Sequence, residues 1–323
     1  MTNIAGSFYK DKTIVTQKST IGAKHVAVLY GGMSCEYSVS IESGKTIAQA
    51  LIELGYKVTM LDIGADIAMV LSKIKPDVVF NGLHGTYGED GAICGLLNIM
   101  RIAYTHSGLL ASSVCFNKIT SKYIFAANNI KTIPYIIVNK SDNITSDPMP
   151  RPYVIKPVAQ GSSKGLIIVM QEDDFNFADY NFEYGNQILV EKYIKGREMQ
   201  VAILNGKALG ALELKLHPSK RFYDFETKYT DGFAEHIMPP KLTDGEYKEL
   251  LELSEASYKA IGARGIARAE FIFNEAGEFF ILEINTHPGF TALSICPEIA
   301  SYVGISLNQL VEEILQAATY DEC

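Results

Sequence analysis

The sequence contains few cysteines and no long apolar segment. Five cysteines are scattered over 323 residues without a CxxC pair, which argues against a disulfide framework or a zinc site and is typical of a reducing cytoplasm. No run of about eighteen apolar residues is present, so we expect no membrane span. Residues 1–24 also lack the apolar core of a secretory signal, and we expect them to form a flexible or loosely packed extension.

Basic residues are fewer than acidic ones. The formal net charge is −8, from 29 basic and 37 acidic residues. No long block of Lys or Arg occurs, and both features argue against a nucleic-acid partner. A hydrophobic content of 47% and a charged content of 20% are ordinary for a soluble globular enzyme. The length allows two or three domains.

Two common nucleotide-binding motifs are missing. GxGxxG does not follow the first predicted strand, His25–Tyr30, which disfavours an NAD-binding module. The Walker pattern GxxxxGK[ST] is absent as well. A glycine- and serine-rich loop, 158–165, instead follows Lys156 and joins two predicted strands. Its backbone N–H groups and hydroxyls suit an anion beside Lys156, and an ordinary hairpin loop is the alternative.

Alternating strands and helices predict an N-terminal parallel α/β domain at residues 25–107. A central section follows at 108–190. The last section, 191–323, contains a polar, aromatic-rich loop at 218–236 and a helix that begins at the capping box Thr243–Glu246. The other predicted strands are Lys57–Leu61, Asp77–Asn81, Ile102–Thr105, Pro134–Val138, Tyr153–Lys156, Leu166–Val169, Gln187–Val190, Glu198–Leu204 and Leu209–Leu214.

Two apolar runs near the C-terminus predict a β-hairpin. Ala267–Phe273 and Phe279–Asn285 flank a turn-forming segment, 274–277. If Phe273 pairs with Glu278, Arg268 lies opposite Glu283. Glu270 is then a diagonal neighbour of Glu283.

The alternation of side chains gives this hairpin two different faces. One face is apolar and is expected to pack on a core: Ala267, Ala269, Phe271, Phe280, Leu282 and Ile284. The other face carries Arg268, Glu270, Glu283 and Asn285. The two carboxylates and the amide oxygen of Asn285 suit Mg²⁺. The arginine could hold phosphate oxygens or developing negative charge. The alternative is a solvated sheet face with one cross-strand ion pair.

Two polar residues follow predicted strands of the N-terminal domain. His84 lies in a segment with four glycines, 82–91, after a buried strand, where parallel sheets bind ligands. It could orient a substrate group or carry a proton, or be a hydrogen-bonded turn histidine. Glu36 follows Gly31–Gly32 and could cap a helix or bind an ammonium group.

Together, seven motifs in a fixed order resemble the D-alanine–D-alanine ligase family of the ATP-grasp superfamily. The resemblance covers about residues 25–317. The motifs are Gly31-Gly32 with Ser34-Cys35-Glu36, His84-Gly85 with Gly88-Glu89-Asp90-Gly91, Lys156-Pro157 with Gly161-Ser162-Ser163, Glu191-Lys192, Tyr223-Asp224 with Lys228-Tyr229, Arg268 with Glu270, and Leu282-Glu283-Ile284-Asn285-Thr286 with Pro288-Gly289.

The resemblance implies an ATP-grasp fold: an N-terminal parallel α/β (pre-ATP-grasp) domain, then two ATP-binding subdomains of α+β type at 108–190 and 191–323. It implies ATP-dependent ligation of two D-alanines through a D-alanyl phosphate, for peptidoglycan precursor synthesis. The implied partners are ATP, D-alanine and two Mg²⁺ ions, with Mn²⁺ as a substitute. A cytoplasmic homodimer that binds neither nucleic acid nor membrane is also implied.

The resemblance further implies a role for each motif residue. Those around the nucleotide are Lys118, Lys156, Ser163, Glu191, Lys192, Ile194 and Glu198. The metal ligands are Glu270, Glu283 and Asn285. Catalytic roles fall on Glu36, Ser162, Tyr229, Arg268 and Gly289, and substrate contacts on His84, Lys228 and Ser294. Gln160 and Lys164 depart from residues common in the family, which makes the loop's charge less negative.

Three other functions remain open. A D-alanine–D-lactate ligase works by the same steps, although Tyr229 follows the dipeptide-forming pattern. Another ATP-grasp carboxylate–amine ligase is disfavoured by the substrate-side motifs at 84–90 and 228–229. A non-catalytic nucleotide-binding protein on the same scaffold would be expected to lack Arg268 or a metal carboxylate, and this sequence keeps both.

The loop at 218–236 is expected to act as a lid, because an acyl phosphate hydrolyses easily and must be shielded from water. Tyr229 on this loop would meet Ser162 and Glu36. Changing Tyr229→Phe should therefore lower ligase activity or raise unproductive ATP hydrolysis, measured as dipeptide formed per ADP released. Unchanged values of both would remove the argument for a lid.

Overall fold

The computed structural model describes residues 15–16, 23–217 and 233–321 of the chain. Its first sheet has the strand order β1-β3-β2-β4-β5. The strands are β1 (Val15–Thr16), β2 (His25–Tyr30), β3 (Lys57–Asp62), β4 (Val78–Asn81) and β5 (Ala103–Tyr104). The helices between them are α1 (Tyr37–Glu53), α2 (Ile67–Ile74) and α3 (Ala92–Met100). The short β1 is antiparallel to β3, and the other pairings are parallel.

Both faces of this sheet are buried, as expected for a parallel sheet between helices. Val26 and Val28 of β2 pack on one side with Ile47 of α1. Ala27 and Leu29 point to the opposite side, in a separate cluster that includes residues of α2 and α3. The strand–helix alternation predicted here is confirmed.

The central section forms a four-stranded antiparallel sheet of order β6-β9-β7-β8. Its strands are β6 (Tyr135–Asn139), β7 (Tyr153–Pro157), β8 (Ile167–Val169) and β9 (Gln187–Lys192). Two helices precede it, α4 (Leu109–Phe116) and α5 (Lys118–Ala127). The sequence pattern predicts a helix at about residues 117–128, which corresponds to α5, and it does not predict α4. β9 continues to Lys192, so the boundary expected between 190 and 191 falls within a strand.

The last section builds a five-stranded antiparallel sheet of order β12-β11-β10-β13-β14. Its strands are β10 (Gly196–Leu204), β11 (Lys207–Leu216), β12 (Ala234–Ile237), β13 (Ile266–Asn274) and β14 (Phe279–Asn285). The helices are α6 (Asp244–Ala260), α7 (Ile295–Tyr302) and α8 (Leu307–Gln316). The capping box predicted at Thr243 is present, with Glu246 as its partner.

One expectation for this section needs correction, and one helix was not predicted. The loop expected at 218–236 ends earlier, because residues 234–236 belong to β12, where they pair with β11. Residues 218–232 lie outside the described part of the chain. Helix α7 was also not predicted. Buried residues of α7 and α8 join the first sheet and the last sheet in one apolar cluster, which fixes the N-terminal domain against the C-terminal section.

Candidate active site

Parallel pairing of β2 with β4 places the first half of the site, because the loops after both strands lie at one edge of the sheet. The loop after β2 leads to Glu36, which is 4% exposed. The loop after β4 carries His84. Ser34 ties the loops together: its Oγ donates to the carbonyl of His84 at 2.6 Å and accepts the N–H of Glu36 at 3.1 Å.

The imidazole of His84 is held on both sides. Nδ1 lies 3.2 Å from Oε1 of Glu89, and Nε2 lies 2.9 Å from Oγ of Ser43. Ser43 accepts the N–H of Phe290 at 3.1 Å, which leaves its hydroxyl proton for Nε2. In this arrangement Nδ1 donates its proton to Glu89. The sequence identified His84 but gave Ser43 and Glu89 no role in holding it.

The glycine- and serine-rich loop reaches this half of the site through Ser162, whose hydroxyl donates to Oε2 of Glu36 at 2.5 Å. A Cβ at Gly161 would stand 2.6 Å from Oε1 of Glu36, so a larger residue would require the carboxylate or the loop to shift. Ser162 and Ser163 both have positive φ, at 52° and 55°. Such strained conformations concentrate at functional sites. The loop therefore connects the central section to Glu36.

The predicted hairpin register is wrong. Glu270 lies directly opposite Glu283, and Arg268 lies opposite Asn285. The pairing shifts between Glu270 and Phe271, which leaves Leu282 as an extra residue on β14. Such a β-bulge changes the direction in which the following side chains point.

The bulge also corrects the predicted apolar face. Phe279 and Ile281 are buried in the core at 3% and 0% exposure, in place of Phe280 and Leu282. After the bulge, Ile284 returns to the core face. Leu282 and Glu283 therefore both line the cleft.

The two opposed carboxylates are each paired with a cation. Arg268 forms an ion pair with Glu270 on its own strand, rather than with Glu283. Burial opposes the charge of Arg268, but Glu270 outweighs it and the pKa of the guanidinium rises. Nζ of Lys118 lies 3.3 Å from Oε2 of Glu283 and donates to the carbonyl of Gln160 at 2.9 Å. Arg268 and Lys118 thus offset the repulsion between the carboxylates of Glu270 and Glu283, which lie opposite each other.

The same carboxylates fit a divalent cation. Glu270 and Glu283 supply charged oxygens from adjacent strands, and Asn285 supplies a neutral one. Oδ1 of Asn285 accepts the N–H of His287 at 2.7 Å, which fixes the direction of the amide. This hard-oxygen donor set is the one that Mg²⁺ or Mn²⁺ prefers.

Lys122, Glu191 and Lys156 form a largely buried group of three charges. Oε1 of Glu191 is 2.5 Å from Nζ of Lys122, and Oε2 is 2.6 Å from Nζ of Lys156. Burial works against the carboxylate charge, but the two lysines lower the pKa of Glu191. The carboxylate of Glu191, expected near adenine, is thus directed to these lysines. Lys122 was missed, although it lies one helical turn after Lys118 on α5.

Three connected pockets form the cleft. The first joins the two halves of the site and is lined by Glu36, His84, Lys118, Ser162, Arg268, Glu283, Asn285 and Gly289, among others. The second shares Lys118, Ser162 and Glu283 with the first and adds Lys156, Ser163, Lys164, Glu198 and Glu270. The third is partly apolar and is lined by Ile133, Lys156, Ile168, Glu191, Lys192, Ile194, Glu198, Ile272 and Leu282, among others.

Lys228 and Tyr229 lie outside the described residues. Ser294 lies beside Gly289, because a Cβ on Gly289 would stand 2.9 Å from its Oγ. That Oγ accepts the N–H of Thr291 at 2.9 Å, so the serine closes the turn that follows Gly289.

Two stacked histidines lie beneath the loop that carries Asn285 and Gly289. The rings of His106 and His287 are 4.8 Å apart and nearly parallel. Nε2 of His287 has no hydrogen-bond partner within the described chain. Burial lowers the pKa of His106 to about 3 and that of His287 well below its usual value, so both rings are neutral. His287 therefore packs as an uncharged ring beneath this loop.

Comparison with known proteins is consistent with this geometry. The family model described as the D-ala D-ala ligase C-terminus matches residues 124–316. The D-alanine–D-alanine ligase of Rickettsia felis is 61% identical over 304 residues, which cover 94% of this chain and 94% of the relative. That of Rickettsia africae is 58% identical over 312 residues, covering 96% and 97%. The chain belongs to the D-alanine–D-alanine ligase family.

A solved structure supports the same assignment. The D-alanine–D-alanine ligase of Bacillus anthracis complexed with ATP superposes with a TM-score of 0.79 at 29% identity, covering 92% of this chain and 97% of the other. The predicted family, ATP-grasp fold and ligase function with ATP are thereby confirmed. In the described part of the chain, every helix is too short or too polar to span a membrane.

The stacked histidines predict a dependence of stability on pH. In the unfolded chain His106 binds a proton with its ordinary pKa of 6.5, whereas the folded protein resists protonation down to about 3. Stability should therefore fall as pH drops below 6.5, by about 1.4 kcal/mol per pH unit for each histidine. His106→Phe keeps a stacked ring without a titrating nitrogen, so its free energy of unfolding in urea should depend less steeply on pH. An equal slope in both proteins would contradict this.

Proposed function

We propose that the cleft binds ATP in its third and second pockets and D-alanine in its first. The main support is the position of Arg268, Glu270, Glu283 and Asn285 on one sheet face, at the junction of these pockets. At this junction the phosphates of ATP would lie next to the carboxylate of D-alanine. The overall reaction joins two D-alanines while ATP is converted to ADP and phosphate.

The third pocket suits a purine and its ribose. Ile133, Ile168 and Ile272 give it apolar walls. Lys192 ends the strand that carries Glu191, and Ile194 follows that strand. Glu198 lines both this pocket and the second, where a ribose hydroxyl would lie. Gln200 donates to its carboxylate at 2.8 Å, which orients it.

The phosphates would lie in the second pocket. Lys118 and Lys156 supply positive charge there, and Ser163 supplies a hydroxyl from the loop with positive φ. Glu270, Glu283 and Asn285 would hold Mg²⁺, for which Mn²⁺ can substitute. The metal supplies neutralisation of phosphate charge during phosphoryl transfer. Lys118 now pairs with Glu283 and would turn to the phosphates.

The first D-alanine would lie between Glu36 and His84. The buried carboxylate of Glu36 suits its ammonium group, and Ser162 keeps that carboxylate in place. The substrate carboxylate attacks the γ-phosphorus of ATP, and ADP leaves. The product, an acyl phosphate, carries a good leaving group on its carbonyl carbon. His84, fixed by Ser43 and Glu89, would lie near this group.

The amine of a second D-alanine then attacks the same carbon, and phosphate leaves after the amine loses a proton. The guanidinium of Arg268 and the N–H of Gly289 both border the first pocket, where they would stabilise the oxyanion of the tetrahedral intermediate. We assign the contact with the second carboxylate to Ser294. The contacts of Lys228 with phosphate and of Tyr229 with Ser162 are proposed from their positions in the family motif.

The cellular setting follows from the same reaction. We propose that the chain acts in the cytoplasm on a precursor of the cell wall and so supports cell shape. Free cysteines, three of them buried, suit a reducing compartment. We also propose a homodimer, because Ile99 of α3 and Leu110 of α4 are 83% and 75% exposed on helices that pack together. Sedimentation of the purified chain tests this, and a monomer at all concentrations would exclude it.

The proposed function is tested by ADP release from the purified protein with D-alanine, L-alanine and other D-amino acids. D-alanine should stimulate release strongly and L-alanine should not. ADP formation that ignores D-alanine would refute the substrate assignment. Competition between D-alanine and D-lactate as the second substrate, followed across a range of pH, distinguishes dipeptide from ester formation.

The opposed carboxylates give a more specific prediction. Glu283→Gln keeps the shape of the side chain but removes one negative charge, so kcat should fall by about a hundredfold or more. The Mg²⁺ concentration required for half-maximal activity should rise. Glu275→Gln is the matched control, because Glu275 lies at the turn of the same hairpin and pairs at the surface with Lys195. Equal kinetics for both variants at every Mg²⁺ concentration would exclude Glu283 as a ligand.

A further inference from the structure

Lys122 is a fully buried lysine that the roles described above leave unused. Its side chain is 1% exposed and lies on α5, one helical turn after Lys118. Besides its ion pair with Glu191, its ammonium group donates to the carbonyl of Ile133 at 3.4 Å and lies 5.1 Å from the ring centre of Tyr135. Because burying an ammonium group costs several kcal/mol, its presence needs a compensating interaction.

Glu191 provides that interaction and also pairs with a lysine that lines the cleft. One carboxylate oxygen faces Lys122 at 2.5 Å and the other faces Lys156 at 2.6 Å. Lys156 lines the second and third pockets, whereas Lys122 lines neither of them. The carboxylate is thus shared between one lysine in the cleft and one lysine behind it.

The charge of this group depends on Lys122. With both lysines, the three residues carry a net charge of +1. Without Lys122 the remaining pair is neutral, and the whole carboxylate charge acts on Lys156. Nucleotide phosphates would then compete with Glu191 for Lys156 on less favourable terms, and the cleft would lose one nearby positive charge.

We propose that Lys122 is a positioning residue for nucleotide binding: it occupies one oxygen of Glu191, so that Lys156 can turn to the phosphates. This inference rests on the proposed contact between Lys156 and ATP. Helix α5 then serves the cleft twice, since Lys118 contacts the metal-binding hairpin and Lys122 supports the central sheet.

A double-mutant cycle tests the proposal. Lys122→Met should raise the KM for ATP about tenfold, with a smaller change in the KM for D-alanine. In a Glu191→Gln background, the same substitution should change the KM for ATP little, because the group through which Lys122 acts is gone. Calorimetric binding of a non-hydrolysable ATP analogue should show the same pattern. Lys122→Arg should retain most of the wild-type affinity.

The control is Lys131→Met, which removes a lysine that pairs with Glu278 at the protein surface. It should leave the KM for ATP unchanged. If Lys122→Met alone does not fold, Lys122→Gln, which also removes the charge, replaces it in both backgrounds of the cycle. A tenfold loss in both backgrounds would overturn the proposal, as would no loss in either. A wild-type protein without D-alanine-dependent ADP release would instead refute the proposed function.

Discussion

The opposition of Glu270 and Glu283 is the constraint on which the site depends. Two carboxylates that face each other across paired strands repel, and burial increases the cost. Arg268 from the same hairpin and Lys118 from α5 offset that repulsion. The central section must therefore lie against the last sheet for Glu283 to be compensated. The carbonyl of Gln160 also accepts a hydrogen bond from Lys118, which brings the glycine- and serine-rich loop to the same point.

Short-range sequence patterns were sufficient to predict much of the fold. They failed where contacts between residues far apart in sequence determine the structure. The buried strands of the first sheet and the capping box at Thr243 follow from short-range patterns. The hairpin register does not. Ile281 donates its N–H to the carbonyl of Lys131 and bridges Thr132, contacts outside the hairpin that accompany the bulge at Leu282. The sequence pattern of the hairpin does not indicate this contact with Lys131 and Thr132.

The missed helices and side chains have related causes. Helix α4 consists mainly of apolar and small residues, and its exposed positions, Leu109 and Leu110, are apolar as well. It therefore lacks the polar face by which surface helices are recognised. The carboxylates, Arg268 and Asn285 were found because their types and alternation already suggest a site. Ser43 and Lys122 act through partners far away in sequence, and only the folded chain brings these partners together.

Buried charge in this cleft is better explained by ligand binding than by stability. Replacing buried ion pairs with apolar residues is often neutral or stabilising, so stability alone would not retain Lys122, Glu191 and Lys156. A cleft for an anionic nucleotide has a different requirement, because its cations must remain charged and oriented before the ligand arrives. Sharing one carboxylate between two lysines meets both conditions. It keeps Lys156 ionised, as its raised pKa indicates, and in the proposed function it leaves a net positive charge for the phosphates.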